Sequence, residues 1–215
     1  WVTVTPSPNA VVGRTIGVWI SGPGDFALSG DYGAYGAIPA ASSLSTIEFG
    51  ASTLMVSSAA SLAPAKVAVG QQEVAMLRFS ATAGLNSIRI SSMTVGRTGG
   101  ADQDISSLSV AWDSNRNGAY DPGADTLMTS GADVFANGLS TLAFTAGQTL
   151  STLQAGTTET YFLVVNVANN AVAGDSLSVG LDSPGAFTLS SATATVSGAN
   201  LPAISSPATI FPALA

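Results

Sequence analysis

The chain has no cysteine and no histidine among its 215 residues. Disulfides and thiol chemistry are thereby excluded, and so are Ser-His-Asp and Cys-His nucleophile systems and histidine-built zinc sites. The missing cysteine leaves the compartment open. Charge is also scarce: 9% of residues are charged, and Lys66 is the single lysine. A phosphate backbone or an anionic membrane surface needs clustered Lys and Arg, which a chain of net charge −7 does not offer. That balance favours divalent cations instead. No apolar run approaches the roughly 20 residues of a membrane-spanning helix. A Ser–Lys dyad would have to use Lys66, which follows Ala63-Pro64-Ala65 at a strand start and reads as a solvated edge residue. The three glutamates, Glu48, Glu73 and Glu159, fall on separate strands rather than facing one another across a cleft as glycoside hydrolysis requires. No enzymatic activity is expected.

What the chain does have is 46% hydrophobic residues, enough for a core, with 23 glycines and 10 prolines spread along it. Its apolar residues recur with a period of two. Ile16, Val18 and Ile20 alternate with Thr15, Gly17 and Trp19; Leu108, Val110 and Trp112 do so with Ser107, Ser109 and Ala111; Leu177, Val179 and Leu181 do so with Ser176, Ser178 and Gly180. Tyr161, Leu163, Val165 and Val167 give the strongest strand, and turn formers such as Gly22-Pro23-Gly24, Asn137-Gly138 and Ser183-Pro184-Gly185 separate the segments. Between Ile90 and Met93 the apolar parity switches, which predicts a bulge near Ser91-Ser92. Short strands punctuated by Gly and Pro predict an all-β fold, an antiparallel β-sandwich.

Part of the chain occurs twice. Asn9-Ala10-Val11-Val12-Gly13, Ile16, Val18, Pro23-Gly24, Phe26 and Leu28-Ser29 return as Asn170-Ala171-Val172-Ala173-Gly174, Leu177, Val179, Pro184-Gly185, Phe187 and Leu189-Ser190, at a constant offset of 161. Across one-residue gaps the match continues from Gly36-Ala37-Ile38-Pro39-Ala40, Ser42-Ser43 and Thr46-Ile47 to Gly198-Ala199-Asn200-Leu201-Pro202-Ala203, Ser205-Ser206 and Thr209-Ile210. A repeat of that length is a domain rather than a solenoid turn. Residues 1–54 therefore read as the last third of a module, repeating 162–215, and residues 55–215 as one complete module. Trp1 aligns with Phe162, inside a strand, so the chain is expected to be processed or excerpted.

One motif carries chemistry. From Asp113 to Asp125 the sequence Asp-Ser-Asn-Arg-Asn-Gly-Ala-Tyr-Asp-Pro-Gly-Ala-Asp places oxygen donors at alternate loop positions. Calcium takes six to eight hard oxygen ligands, and alternate side chains of a tight loop converge on one ion. The expected ligands are Asp113, Asn115, Asn117, the Ala119 carbonyl, Asp121 and Asp125, with Gly118 at the sharp turn. Asp102 and Asp104, after Gly99-Gly100, could complete that shell or form a second one. The loop resembles the Asp-x-Asn-x-Asn-Gly calcium loops of dockerins and thrombospondin type 3 repeats, set here between two strands. The stretch from about Ala65 to Ala173 resembles the Ig-like β-sandwich repeat modules of large prokaryotic cell-surface proteins. That resemblance implies an extracellular, cell-surface location and a structural or adhesive role.

By parity Trp19 faces away from Ile16, Val18 and Ile20, where the second copy has Gly180, and this suggests an interface anchor. A partial sandwich exposes strand edges and half a core. The chain is accordingly expected to be a structural subunit of an extracellular filament or surface array, stabilised by calcium. Its partners would be copies of itself in a homopolymer joined by β-strand complementation, with no nucleic acid and no membrane span. The alternative is a calcium-dependent adhesin or carbohydrate-binding module, which needs an exposed aromatic platform that 7% aromatics do not make evident.

Overall fold

The computed structural model describes residues 3–4, 14–27, 37, 39–46, 52–145, 151–198 and 200–213. Of the residues named above, Trp1, those at 9–13, Leu28, Ser29, Gly36, Ile38, Ile47, Glu48 and Ala199 lie outside them. The chain divides into two units, Trp1–Gly50 and Ala51–Ala215. This boundary precedes the expected division after residue 54. The strand Thr53–Ser61 runs through that point, and Leu54 and Val56 are buried in the second unit's core.

Unit one contains β1 (Thr15–Ile16), β2 (Trp19–Ile20), β3 (Ala40–Ala41) and β4 (Ser45–Thr46), with one 3-10 turn at Pro23–Asp25. Among its described residues two ladders form, both antiparallel, β1 with β4 and β2 with β3.

Unit two is a sandwich of two sheets. Its strands are β5 (Thr53–Ser61), β6 (Lys66–Ala68), β7 (Val74–Ala83), β8 (Ile88–Thr98), β9 (Ile105–Trp112), β10 (Thr126–Leu127) and β11 (Leu139–Ala143). They continue with β12 (Thr152–Leu153), β13 (Thr158–Val167), β14 (Ser176–Leu181), β15 (Phe187–Leu189), β16 (Thr195–Ser197), β17 (Ala203–Ile204) and β18 (Ala208–Phe211). One sheet runs β10-β9-β13-β7-β5-β16; the other runs β11-β8-β14-β18-β6, with β12 and β15 also on β8 and β17 on β14. Pairing is antiparallel except at β16–β5 and β18–β6, which are parallel. Those exceptions follow from the first stretch of the unit dividing itself between sheets. β5 lies in one sheet; after Pro64, which cannot donate to a ladder, β6 joins the other. The switch of parity in β8 is a bulge: Thr188 pairs Ser92 and Leu189 pairs Ile90, so Ser91 is skipped.

The core lies between the sheets, where Leu54, Val56, Met76, Phe79, Ile90, Met93, Leu163, Val165, Leu177 and Val179 are buried. β13 is central in its sheet and buried on both faces, which explains its unbroken apolar run from Tyr161 to Val165. Tyr161 and Leu163 face the sandwich, whereas Phe162 and Val164 join Ala111 in a separate outer cluster beneath Leu62 and Tyr120. Phe162 is thus buried outside the main core, by a side chain from the acidic loop.

Candidate calcium loop and a repeated strand segment

The acidic loop connects β9 to β10, whose ladder closes its base through Thr126 opposite Trp112. Asp113 is buried; its Oδ1 accepts the Asn117 amide at 3.2 Å and its Oδ2 the Gly118 amide at 2.9 Å. Gly118 has φ +77°, which favours glycine at that turn. Asn115 and Asn117 converge on one acceptor, each donating its side-chain amide to Asp121 Oδ2, at 2.8 and 2.6 Å. These two bonds, Asn115 first, hold the Asp121 carboxyl below its ordinary range. Asp125 closes the loop by accepting the Ser114 amide at 3.1 Å and the Asp121 amide at 2.8 Å. Ala119 donates its amide to Asn117 Oδ1.

These residue types suit a hard divalent cation, and five of the six expected ligands sit within one mesh of hydrogen bonds. Asn115 and Asn117 present amide hydrogens to Asp121, so holding a cation there needs both to turn their oxygens inward, while Asp121 and Asp125 draw towards Asp113. Among the described residues, no three carboxylates are already gathered to hold a metal.

Asp102 and Asp104 do not belong to that shell. They precede β9 and the loop follows it, so the length of a strand rising about 3.3 Å per residue separates the two ends. Asp102 pairs with Arg97 at 2.7 Å and accepts the Gly138 amide at 3.0 Å. Asp104 is fully buried and accepts the amides of Ala101 at 2.6 Å and Val172 at 2.9 Å. Both tie turns together. The Arg97 hydrogen bond holds the Asp102 carboxyl below its ordinary 3.8. A depressed folded value means that its contribution is complete above 3.8 and is lost as pH falls through the lower folded value. Arg97→Met is expected to raise the Asp102 titration midpoint towards 3.8, as read by carboxyl NMR; an unmoved midpoint would refute this pairing.

Sequence reasoning missed the loop's anchors. Arg78 on β7 donates Nη1 to the Gly118 carbonyl at 2.9 Å. Tyr120 packs on Phe162 with ring centroids 5.8 Å apart. Glu159 accepts Trp112 Nε1 at 2.9 Å and pairs with Arg116. The available signal was Arg78, a rare cation at an outward position of a strand otherwise built from apolar and small residues.

The second feature is in unit one, whose described strands reproduce the pairing registers of the end of unit two. Thr15 pairs Thr46 as Ser176 pairs Thr209, and Ile20 pairs Ala40 as Leu181 pairs Ala203. Val18 donates its amide to Ser42 Oγ at 3.0 Å, as Val179 does to Ser205 Oγ at 3.0 Å. The 3-10 turns Pro23–Asp25 and Pro184–Ala186 occupy the same place. Cover is what differs. Val165 is fully buried but Val4 is 46% exposed; Phe187 is 6% exposed but Phe26 is 44%. Trp19 is 71% exposed, opposite Ala41, where unit two sets Gly180 opposite Ile204. A Cβ on Gly180 would come within 2.8 Å of Ile204, so the bulk of each pair resides on opposite strands in the two units.

No family model matches the chain, and no curated protein matches it. Among the solved structures similar to it are two cohesin-containing ones. One is a chain of the CaDoc0917–CaCohA2 complex, with 12% identity, 75% of this chain and 99% of that one covered, and a TM-score of 0.24. The other is the seventh ScaB type I cohesin from Pseudobacteroides cellulosolvens, with 10% identity, 77% and 94% coverage, and a TM-score of 0.26. The fold of unit two is a β-sandwich, established by its own ladders.

Proposed function

We propose that the chain is a non-catalytic structural segment of an extracellular filament or surface array, in which β-sandwich modules join by strand complementation. The single observation that carries this reading is the match of unit one to the end of unit two in strand register, with Val4 and Phe26 nearly half exposed where their counterparts Val165 and Phe187 are buried. A face patterned for burial but left at the surface marks an interaction site. Modules of its own kind, copies of this chain included, are the partners that such a face fits. Calcium in the loop, held by Asp113, Asn115, Asn117, the Ala119 carbonyl, Asp121 and Asp125, would staple β9 to β10 and keep Tyr120 over Phe162. No described helix is long and apolar enough to cross a membrane.

Immunogold electron microscopy of cells expressing the protein tests the reading. Labelling along surface layers or filaments is expected. Label confined to the cell interior would sink it.

A further inference from the structure

We propose that the acidic loop cuts its own chain, the carboxylate of Asp121 cleaving the peptide bond between Asp121 and Pro122. Ten prolines occur in the chain, and Pro122 is the single one that follows an acidic residue. That order matters chemically. The Pro122 nitrogen belongs to a tertiary amide with no hydrogen of its own, and once protonated it leaves as an amine. An aspartate on its N-terminal side carries a carboxylate that reaches the scissile carbonyl by closing a five-membered ring, with no second molecule to bring up.

The fold holds the reacting groups. The Asp121 carbonyl oxygen accepts two main-chain amides, Ala124 at 3.0 Å and Asp125 at 2.9 Å. Two donors at that range stabilise an oxyanion, and they already sit on the oxygen where negative charge develops. The side chain is fixed as well: Asn115 and Asn117 hold Oδ2 at 2.8 and 2.6 Å. Among the described residues no hydrogen bond reaches Oδ1, so its lone pairs stay available for attack. The Asp121 amide donates to Asp125 Oδ2 at 2.8 Å, which steadies the backbone on the other side. Pro122, Gly123 and Ala124 are exposed, so water has access to the bond.

The step balances with one water. Oδ1 adds to the Asp121 carbonyl carbon; the carbon–nitrogen bond breaks, and its electron pair stays on Pro122, which takes a proton from water. The cyclic anhydride that remains is opened by the hydroxide, leaving Asp121 with two carboxyl groups and Pro122 with a free secondary amine. It is a single act on the chain itself and calls for no turnover. Strands from either side of the cut remain laddered, β13 to β7 and β9, β14 to β8 and β16 to β5, so the two parts of unit two stay clasped. What is lost is the loop, because Asp125 is severed from the other five expected calcium ligands.

The test incubates the full chain, folded, in chelator that keeps cations off the Asp121 carboxylate, beside a second sample unfolded in urea, and follows both by mass spectrometry under denaturing conditions. One fragment ending at Asp121 and one beginning at Pro122 are expected. They should form about tenfold or more faster in the folded protein than in urea, since a single oxyanion donor is worth about 100-fold or more. Pro122→Ala removes the leaving group and Asp121→Ala the nucleophile, both in the loop and outside the core; each is expected to slow the cut by about tenfold or more. Absence of these fragments, cleavage in urea as fast as in the folded protein, or cleavage of Pro122→Ala at the wild-type rate would overturn the proposal.

Discussion

Phe79→Ala is expected to destabilise unit two by about 3–5 kcal/mol, the range for removing a buried aromatic from a packed core. Phe79 is 1% exposed, stacks on Tyr161 across the β7–β13 ladder at 5.6 Å between centroids, and meets Phe187 edge-on at 6.0 Å. Two of these rings come from β7 and β13 of one sheet and the third from β15 of the other, so the alanine leaves a cavity where the two sheets interlock. In a unit of this size the melting temperature should fall by about 10 °C or more. Calorimetry checks this, with Phe26→Ala as the contrast. Phe26, the unit-one counterpart of Phe187, is nearly half exposed, and its truncation should cost less than about 1 kcal/mol. Equal losses at Phe79 and Phe26 would contradict the unequal cover.

Calcium removal should have the next largest effect. At a free concentration a hundredfold above the dissociation constant, a ligand bound only by the folded state stabilises it by about 2.7 kcal/mol. Chelation should accordingly lower the melting temperature of unit two by about 5–10 °C. Asp113→Ala should melt low with or without chelator, because the loss of the buried carboxylate removes a ligand and also frees the Asn117 and Gly118 amides. A scan in which chelator leaves the wild-type melting temperature unchanged would sink calcium as a ligand.

Strand positions were largely legible in the sequence because a period of two is a local property: parity alone separates Leu177, Val179 and Leu181 from their neighbours, and the parity slip marks the bulge at Ser91. The parallel pairs were not legible, since they depend on the chain crossing between sheets near Pro64 and on β18 returning beside β6 from far along the sequence. Phe162 shows a related limit. Its apolarity signals burial, but which face it covers depends on Tyr120 folding back from the loop. Asp102 and Asp104 read as candidates for a metal shell because their partners, Arg97, Gly138, Ala101 and Val172, are assembled by the fold. The loop between Asp113 and Asp125 was legible as a unit because its donors are adjacent in sequence; its anchor Arg78 comes from a different strand.

Lys66 sits on the β6–β18 ladder with its Nζ 4.4 Å from the centre of the Phe211 ring, at the end of the last strand. It carries the only side-chain amine in the protein. An amine-directed reagent therefore marks one side chain among these 215 residues, beside the strand that finishes the sandwich, and its rate of attachment there follows whether that strand is seated or has come away.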